Sequence, residues 1–469
     1  SFNADVDEDE PKMLILGQCH AEEIYGLEIA VELIEWFLNP FNSENSIYLQ
    51  SIFSIMSNSE VWIVPTHNPE GLEVVHGYYD INNTWLQDES FRKNKFDANM
   101  NGVFDFVLGI GDDIDGVDLN RNYDFNWVFG DDFNQLDSGC STNPSYLSNF
   151  DYYRGTEPFS EPEIRAIRDF TLDNNFLLSI AYHSSRSGCV SEKVIYPWIW
   201  EDDKSAPDID VISELGIEIS QKIPTQDGLG YYYPTNSRSM RGNAHDWLYA
   251  NTGCIQYLIE VGTSDIQSDD IDVIEDTIGR NMQGLLHLLK KGAGTSIQNG
   301  PDVYQISGLV KDVNGSPVSA EVKVLENHGS MLKPRLTDDF GRFRRILKEG
   351  LYTIEISSFG YETYISSVSP SSSSVTELDI TLNELPYYNL SFNMLNYNSD
   401  EDIFAYITSE FNEIEIDLND QINLPAGDYK LFINSSIYLP KFLNINLNQD
   451  SIIDIDMKNK GVFIYDSFE

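Results

Sequence analysis

The sequence is poor in basic residues, with 29 Lys and Arg against 76 Asp and Glu and a formal net charge of -47. Nucleic acids and anionic membrane surfaces repel a chain with such an excess of negative charge, and we expect neither as a partner. The same excess is compatible with a well-solvated surface and with the binding of cations or cationic ligands.

Long apolar segments are also missing. No apolar run approaches the roughly 20 residues that a membrane-spanning helix needs, so we expect no membrane span. No signal peptide is recognisable after Ser1, where an acidic segment leads into an apolar strand, and an export signal upstream is compatible with this start. The chain has 469 residues, of which 41% are hydrophobic. It is therefore too long for one core, and we expect about two to four domains.

Cysteine is scarce. The four cysteines allow three complete pairings, among which the sequence cannot choose. They are Cys19, Cys140, Cys189 and Cys254. Since Cys19 and Cys254 lie in or beside apolar strands, buried free thiols are at least as compatible with the pattern as disulfides.

The first part of the chain, to about residue 290, alternates apolar strands with amphipathic helices. A strand begins at Met13, and further buried strands are predicted over 61–65, 177–182 and 254–259. Helical spacing of apolar residues predicts helices over 22–38, from about 160 onward and over 272–291. This alternation indicates an α/β domain, over residues 1–295, with a largely buried sheet.

After a Gly- and Ser-containing linker at 292–296, the pattern changes to short alternating runs broken by turn signals. It predicts two small all-β sandwiches, over 303–383 and 384–469. Both contain a glycine and an aromatic residue followed by alternating apolar residues, at Gly350-Leu-Tyr and Gly427-Asp-Tyr, which indicates a related topology. Neither carries a cluster of catalytic residue types, so a spacer or partner-binding role is expected.

Four residues of the types used in metal-dependent hydrolysis lie at the predicted strand ends: His20, Glu23, His183 and Glu260. Two imidazoles and one carboxylate can hold Zn²⁺ tetrahedrally with one position open for water. Zinc lowers the pKa of that water, and a further carboxylate can take its proton and pass it to a leaving amine. Each residue alone is more often an ordinary polar contact, but their recurrence at successive strand ends favours a common site.

Several motifs, in this order along the chain, resemble those of the zinc metallocarboxypeptidases of the carboxypeptidase A/B/T type. They are the His20/Glu23 pair, Gly116-Val-Asp-Leu-Asn-Arg-Asn-Tyr123, Tyr152-Tyr-Arg-Gly-Thr-Glu-Pro-Phe-Ser-Glu-Pro-Glu163, Tyr182-His-Ser, Tyr196-Pro-Trp, and Asp246-Trp through Glu260. The resemblance covers about residues 10–290 and implies a mixed sheet flanked by helices.

The resemblance also implies residue roles. The zinc ligands would be His20, Glu23 and His183, and the general base acting on the metal-activated water would be Glu260. Asn120 and Arg121 would hold the carboxylate at the substrate's C-terminus, a group that a guanidinium matches well. Without the flanking matches, Asn120 and Arg121 would be interpreted as a surface turn with an ion pair.

The sequence departs from the family pattern at three places. Glu22 stands between the paired ligands, where an arginine is frequent. The oxyanion-stabilising arginine aligns with Lys95, which lacks a bidentate fork, and Arg92 is the alternative. Tyr233 matches the family's mobile tyrosine, but several extra residues follow it before Asp246. Arg238 and Arg241 in this insertion, together with a histidine at position 245, suggest a preference for an acidic C-terminal residue.

Between Lys95 and Asp118 the sequence contains the first part of a calcium-binding loop. The candidate oxygen ligands are Asp97, Asn99, Asn101 and Asp105. Leu108 stands where a calcium loop has glutamate, and Asp112, Asp113 or Asp115 could complete the shell. An unliganded Asp/Asn turn explains the pattern equally well. The remaining histidines, His67, His76, His287 and His328, are interpreted as surface or packing residues.

The β module from Val303 resembles the carboxypeptidase regulatory-like, transthyretin-like domain. The family's catalytic domain usually begins well before the Met13 strand, so the resemblance implies an N-terminally truncated chain. We expect a secreted or cell-surface, monomeric zinc exopeptidase that hydrolyses the C-terminal bond of peptides or proteins. The alternatives are a zinc amidase acting on cell-wall peptides and a surface-binding protein with a decayed peptidase domain.

Overall fold

The computed structural model describes residues 10–41, 48–109, 115–127, 153–184, 192–200, 204–236, 242–263, 267–294, 303–398 and 403–460. Among the helices in these ranges, none combines the length and the apolar character of a membrane-spanning segment. The elements form an N-terminal α/β part and two consecutive pairs of β-sheets. The predicted fold class is confirmed.

Ten strands lie in the α/β part: β1 (Lys12–Gln18), β2 (Glu60–Thr66), β3 (Tyr78–Tyr79), β4 (Trp85–Leu86), β5 (Leu178–Ser184), β6 (Lys193–Tyr196), β7 (Ile199–Trp200), β8 (Lys204–Ser205), β9 (Tyr233–Asn236) and β10 (Ile255–Val261), counted over the described residues. The same ranges contain the helices α1 (Tyr25–Leu38), α2 (Leu49–Asn58), α3 (Pro69–His76), α4 (Pro162–Asp173), α5 (Ile209–Ser220), α6 (Ala244–Thr252) and α7 (Ile271–Ala293).

The main sheet has the strand order β2-β1-β5-β10-β6-β9. Its first four strands are parallel, β6 runs antiparallel to β10, and β9 runs parallel to β6. Strands β1 and β5 are buried along nearly their whole length, as expected for parallel strands covered on both faces. Because the carboxyl ends of β2, β1, β5 and β10 lie at one edge, residues that follow these strands are brought together.

Two groups of helices pack on the sheet. Helix α7 contacts α1, α2 and α5, while α4 contacts α6, which packs on β10. The predicted helix at 22–38 begins only at Tyr25, because the preceding residues form a tight turn in which Glu23 N–H donates to the His20 carbonyl at 3.2 Å. This turn presents the side chains of His20 and Glu23 to the edge of the sheet.

Two β-sandwiches follow. The first contains β11 (Gln305–Asp312), β12 (Glu321–Val324), β13 (Arg335–Leu336), β14 (Arg342–Ile346), β15 (Tyr352–Ser357), β16 (Tyr364–Val368) and β17 (Thr376–Leu382). The second contains β18 (Tyr387–Leu395), β19 (Ile403–Thr408), β20 (Glu413–Glu415), β21 (Ile422–Pro425), β22 (Gly427–Ser435), β23 (Lys441–Leu447) and β24 (Ser451–Asp456). Each has its own apolar core.

The two sandwiches share one topology. The sheets of the first are ordered β14-β11-β17 and β13-β12-β15-β16, and those of the second β21-β18-β24 and β20-β19-β22-β23. Adding seven to every strand number of the first reproduces the second. In both, the first strand pairs in parallel with the last. The expectation of a related topology, based on their shared Gly and aromatic segments, agrees with this strand order.

Candidate active site

The alternation of side chains along β5 and β10 directs two candidate residues to the same face of the sheet. Tyr182 packs against Gly26 of α1, and Tyr257 O–H donates to the Ile212 carbonyl of α5 at 2.9 Å. Successive side chains of a strand point to opposite faces, so His183 and Glu260 point away from α1 and α5. Glu260 and His183 are also register partners on neighbouring parallel strands.

Three side chains converge beside this face. His20 Nδ1 lies 2.9 Å from Glu23 Oε1, and His183 Nδ1 lies 2.9 Å from Glu23 Oε2 and 3.0 Å from His20 Nδ1. Within the described ranges, His20, Glu23 and His183 form the one group of His, Cys, Asp or Glu residues whose ligand atoms could hold a metal ion, all within 4.8 Å of one another. All three are buried.

The electrostatics of this group favour a cation. Burial and Arg92 lower the pKa of His20, but Glu23 and Asp118 outweigh them and raise it to about 9. Burial raises the pKa of Glu23, yet the two histidines hold it below its ordinary value. Burial lowers the pKa of His183, so its neutral ligand form is favoured. Two imidazoles and one carboxylate are a donor set of catalytic Zn²⁺ sites, and the residues therefore fit the metal.

Asp118 orients His20 from behind. Its Oδ1 lies 3.0 Å from His20 Nε2, which leaves Nδ1 to face the ligand group. Burial raises the pKa of Asp118, but Arg92, His20 and Arg121 lower it well below its ordinary value. From the sequence, Asp118 is recognisable only as part of the Gly116–Tyr123 string, in which a carboxylate stands two residues before Asn120.

Arg92 reaches the ligand group, whereas Lys95 has other partners. Arg92 Nε donates to Asp118 Oδ2 at 3.1 Å, and its Nη1 lies 3.3 Å from Glu23 Oε1. Lys95 Nζ lies 2.8 Å from Glu73 Oε2 and over the ring of Tyr78 at 3.6 Å. The geometry thus brings Arg92, the alternative considered from the sequence, to the candidate centre and leaves Lys95 outside it.

The unusual Glu22 is buried at this centre too. Its Oε1 lies 3.7 Å from Arg92 Nη1, so Arg92 interacts with two consecutive glutamates. Where the family resemblance led us to expect a second positive charge, this chain has a carboxylate that partly offsets the charge of Arg92. We expect the affinity for an anionic part of a substrate at this point to be reduced accordingly.

Glu260 has a strongly perturbed carboxyl group. Burial and the neighbouring Glu23 raise its pKa to about 8, against the opposing effects of Arg92, His20 and Lys193. Its side chain is nevertheless partly accessible. A carboxylate with a raised pKa at an accessible position beside a candidate metal group has the properties of a proton acceptor.

Asn120 and Arg121 lie in a 3₁₀ turn (Leu119–Arg121) that is fastened to the start of α6. Asn120 Oδ1 accepts from the Ala244 N–H at 2.9 Å, and Arg121 Nη1 donates to Asn243 Oδ1 at 3.0 Å. Tyr233, in contrast, is 64% exposed on the edge strand β9. The structure joins the two proposed carboxylate-binding residues to α6 and leaves Tyr233 at the surface.

Two further histidines are buried near this group. His245 is 2% exposed, and among the described residues neither of its ring nitrogens has a hydrogen-bond partner. Burial, His183 and Arg121 lower its pKa to about 3, which favours the neutral imidazole. His67, interpreted from the sequence as a surface or packing residue, follows β2 and is 9% exposed, with its pKa lowered to about 3 by burial and by His183 and His20.

The predicted calcium loop forms a compact turn. Asp97 accepts from the Asn101 and Gly102 N–H groups, and buried Asp115 accepts from the Ala98 and Asp105 N–H groups. In the described part of the chain, the acidic residues of this loop do not bring three ligand atoms as close together as His20, Glu23 and His183 do. Residues 112 and 113 lie outside the described ranges, as do Arg238, Arg241, Cys140 and Cys189. Cys19 and Cys254 are buried free thiols.

The fold and the site are together of the kind found in metal-dependent hydrolases. The candidate metal ligands and Glu260 lie at the carboxyl edge of a mixed α/β sheet. The chain belongs to the zinc carboxypeptidase family, whose model matches residues 2–278. The model of the carboxypeptidase regulatory-like domain matches residues 305–383, which contain the first sandwich. The resemblances expected from the motifs are confirmed.

The similar proteins include several carboxypeptidases. Carboxypeptidase B of Astacus astacus is 28% identical over 261 residues, 54% of this chain and 71% of that protein. The carboxypeptidase N catalytic chain of Mus musculus is 23% identical over 395 residues, 80% of this chain and 74% of that protein. The crystal structure of thrombin activatable fibrinolysis inhibitor is 18% identical with a TM-score of 0.45, covering 61% of this chain and 63% of that one.

Proposed function

We propose that this protein is a zinc-dependent exopeptidase that removes the C-terminal residue from peptides or proteins. The observation that carries the proposal is the convergence of His20, Glu23 and His183 beside Glu260, the register partner of His183. The three ligand residues would hold the zinc ion. When bound, zinc supplies a Lewis acid that acidifies a water molecule and polarises a carbonyl.

The chain's own residues would divide the remaining work. Glu260 accepts a proton from the attacking water and delivers it to the leaving nitrogen. Arg92 donates hydrogen bonds to the oxyanion that develops on the scissile carbonyl, the role assigned from the sequence to Lys95. We favour Arg92 because it already contacts Glu23, while Lys95 is paired with Glu73.

Asn120 and Arg121 would bind the terminal carboxylate of the substrate. An arginine provides the planar fork that a carboxylate accepts in two parallel hydrogen bonds. Their attachment to the start of α6 holds them at a constant distance from the ligand group, which would restrict cleavage to the last peptide bond. Tyr233 stays a prediction as a residue that closes over the substrate.

His245 suggests a second class of C-terminal residue beside the acidic one that was expected. A neutral imidazole offers one donor and one acceptor but no charge, and its unpaired nitrogens lose hydrogen bonds to water on burial. A terminal side chain that is polar and uncharged, such as that of Asn, Gln, Ser or Thr, would restore both hydrogen bonds. We therefore propose this class beside the acidic residues expected from Arg238 and Arg241, which lie outside the described ranges.

The decisive experiment combines metal analysis with hydrolysis of N-blocked dipeptides. The wild-type protein should bind one zinc ion and release the C-terminal amino acid, and Glu260→Gln should keep the zinc but lose roughly 10²- to 10⁴-fold in rate. C-terminally amidated dipeptides serve as the control substrate, because they lack the carboxylate that Arg121 would bind. Zinc binding without any hydrolysis would favour a binding protein, and activity on peptidoglycan fragments alone would favour an amidase.

Two further expectations belong to this proposal. A peptidase of this kind acting on extracellular peptides would be secreted or held at the cell surface, and detection of the native protein in the medium or surface fraction of its source cells tests this. A structural calcium ion in the loop at residues 97–105 would raise the melting temperature in Ca²⁺ compared with Mg²⁺. Equal melting temperatures in both would remove calcium from the proposal.

A further inference from the structure

The first sandwich contacts the catalytic part through the buried carboxylate of Asp208, directly before α5. Arg345 Nη2 on β14 donates to both carboxylate oxygens of Asp208, at 3.1 and 2.9 Å. Asn327 Nδ2, in the turn after β12, donates to Oδ1 at 2.7 Å. Asp208 is 3% exposed, so these charge-assisted hydrogen bonds are shielded from water.

Asp208 in turn holds helix α6. The Tyr249 O–H donates to Asp208 Oδ2 at 2.8 Å, and the Tyr249 hydroxyl oxygen accepts from the Asp208 N–H at 3.0 Å. Arg335 of β13 lies over the Tyr249 ring at 5.2 Å and donates to the Ala250 carbonyl at 3.3 Å. The first sandwich therefore contacts the C-terminal half of α6 in two ways, through Asp208 and directly through Arg335.

The N-terminal end of the same helix carries the proposed carboxylate-binding turn. The Ala244 N–H and the Asn243 side chain are bonded to Asn120 and Arg121. Helix α6 has nine residues, roughly 14 Å at 1.5 Å per residue, and moves as a rigid unit over such a length. A displacement at Tyr249 is therefore transmitted to Asn120 and Arg121.

We propose that the first sandwich is a positioning domain for the substrate-binding turn, acting through Asp208, Tyr249 and α6. This differs from the spacer role expected from its sequence, and it rests on the proposed function of Asn120 and Arg121. The sandwich does not touch the reacting atoms. It sets the position of α6 and thereby the position of Asn120 and Arg121. Hydrogen bonds to the substrate's terminal carboxylate weaken steeply when donor and acceptor are misaligned, so a displaced α6 weakens substrate binding.

The test compares two interdomain ion pairs. Arg345→Met removes the pair with Asp208, and Asn327→Ala is a milder variant that removes one hydrogen bond to the same carboxylate. Lys348→Met is the control: Lys348 Nζ lies 2.7 Å from Glu214 Oε2 on α5, and this more exposed ion pair joins the same two domains without α6. For a blocked dipeptide, we expect KM to rise at least about fivefold in the Arg345 and Asn327 variants, with kcat and zinc affinity within about twofold.

Lys348→Met should leave KM within about twofold of the wild-type value. Equal KM values in all three variants, or equal increases in the Lys348 control and the Arg345 variant, would overturn the proposal. Hydrogen exchange gives a second readout that does not require activity: amides of residues 244–252 should exchange faster in the Arg345 and Asn327 variants only. Unchanged exchange in these variants would overturn the coupling. If the wild-type protein hydrolyses no peptide but the two variants still show faster exchange, the proposed function alone is refuted.

Discussion

Replacing Asp118 with Asn should weaken zinc binding by roughly 10- to 100-fold, the usual cost of losing the partner of a metal-binding histidine. Asp118 is fully buried and its Oδ1 lies 3.0 Å from His20 Nε2. Asparagine keeps the size of the side chain but removes its negative charge. His20 would lose the group that fixes its ring orientation and raises its basicity, while its Nδ1 would remain available to the metal.

The expected magnitude follows from the interactions that are lost. A factor of ten in affinity corresponds to about 1.4 kcal/mol, so the predicted range is about 1.4–2.8 kcal/mol. One hydrogen bond to a charged group contributes roughly 1.5–3 kcal/mol. Because the site is buried, water cannot easily replace the lost carboxylate, and we expect a value in this range rather than the small effect of an exposed ion pair.

The assay is a competition titration of metal-free protein against a chromophoric zinc chelator at fixed pH and salt. Glu161→Gln is the matched control, since Glu161 is also buried and accepts from Asn94 Nδ2 at 2.6 Å and from Ser160 Oγ at 2.7 Å, away from the proposed ligands. A zinc affinity of Asp118→Asn within twofold of the wild-type value would refute the reasoning. An equal loss in the Glu161 variant would do so as well.

Three other outcomes are expected. Arg92→Met should lower kcat/KM by roughly 10²- to 10³-fold while Lys95→Met changes it by less than about threefold, and the reverse order would restore the original assignment to Lys95. His245→Leu should shift the preference of a dipeptide panel from polar uncharged to aliphatic C-terminal residues; an unchanged ranking would exclude His245 from the pocket. The rate kcat/KM should decline as the pH falls, because Glu260 must be deprotonated to accept a proton. Burial and Glu23 raise the pKa of Glu260 from 4.5 to about 8, and a bound zinc cation opposes this rise. The midpoint of the pH profile should therefore lie between these two values. A midpoint at or below 4.5 would argue against Glu260 as the base.

The strand-end residues could be predicted from the sequence because buried parallel strands have a clear apolar signature. Once β5 and β10 are recognised, His183 and Glu260 must lie at the same edge of the sheet. Their common face follows from the alternation of side chains along each strand. This part of the candidate site depends on periodicity, which the local sequence contains.

Loop residues were predicted less well, for a physical reason. Arg92 and Lys95 are three residues apart in an irregular segment, where spacing does not determine the direction of a side chain. Their partners, Asp118 and Glu73, are distant in sequence, at separations of 26 and 22 residues. The same applies to the contacts of Asp208 with the first sandwich, which join residues 119 and 137 positions apart.

The backbone at Gly242 has a consequence for how this part of the chain can vary. Its N–H donates to the Phe125 carbonyl at 2.9 Å, and its carbonyl accepts from the Tyr123 N–H at 3.1 Å. Its φ of 66° and the Arg121 carbonyl, 2.5 Å from where a Cβ would lie, leave room for glycine only. Backbone hydrogen bonds therefore fix the chain at Gly242, directly before α6, just as strand pairing fixes it at Asn236, where β9 ends. A side chain at position 242 would therefore displace the start of α6 from the turn that carries Asn120 and Arg121, and we expect this position to accept no residue other than glycine.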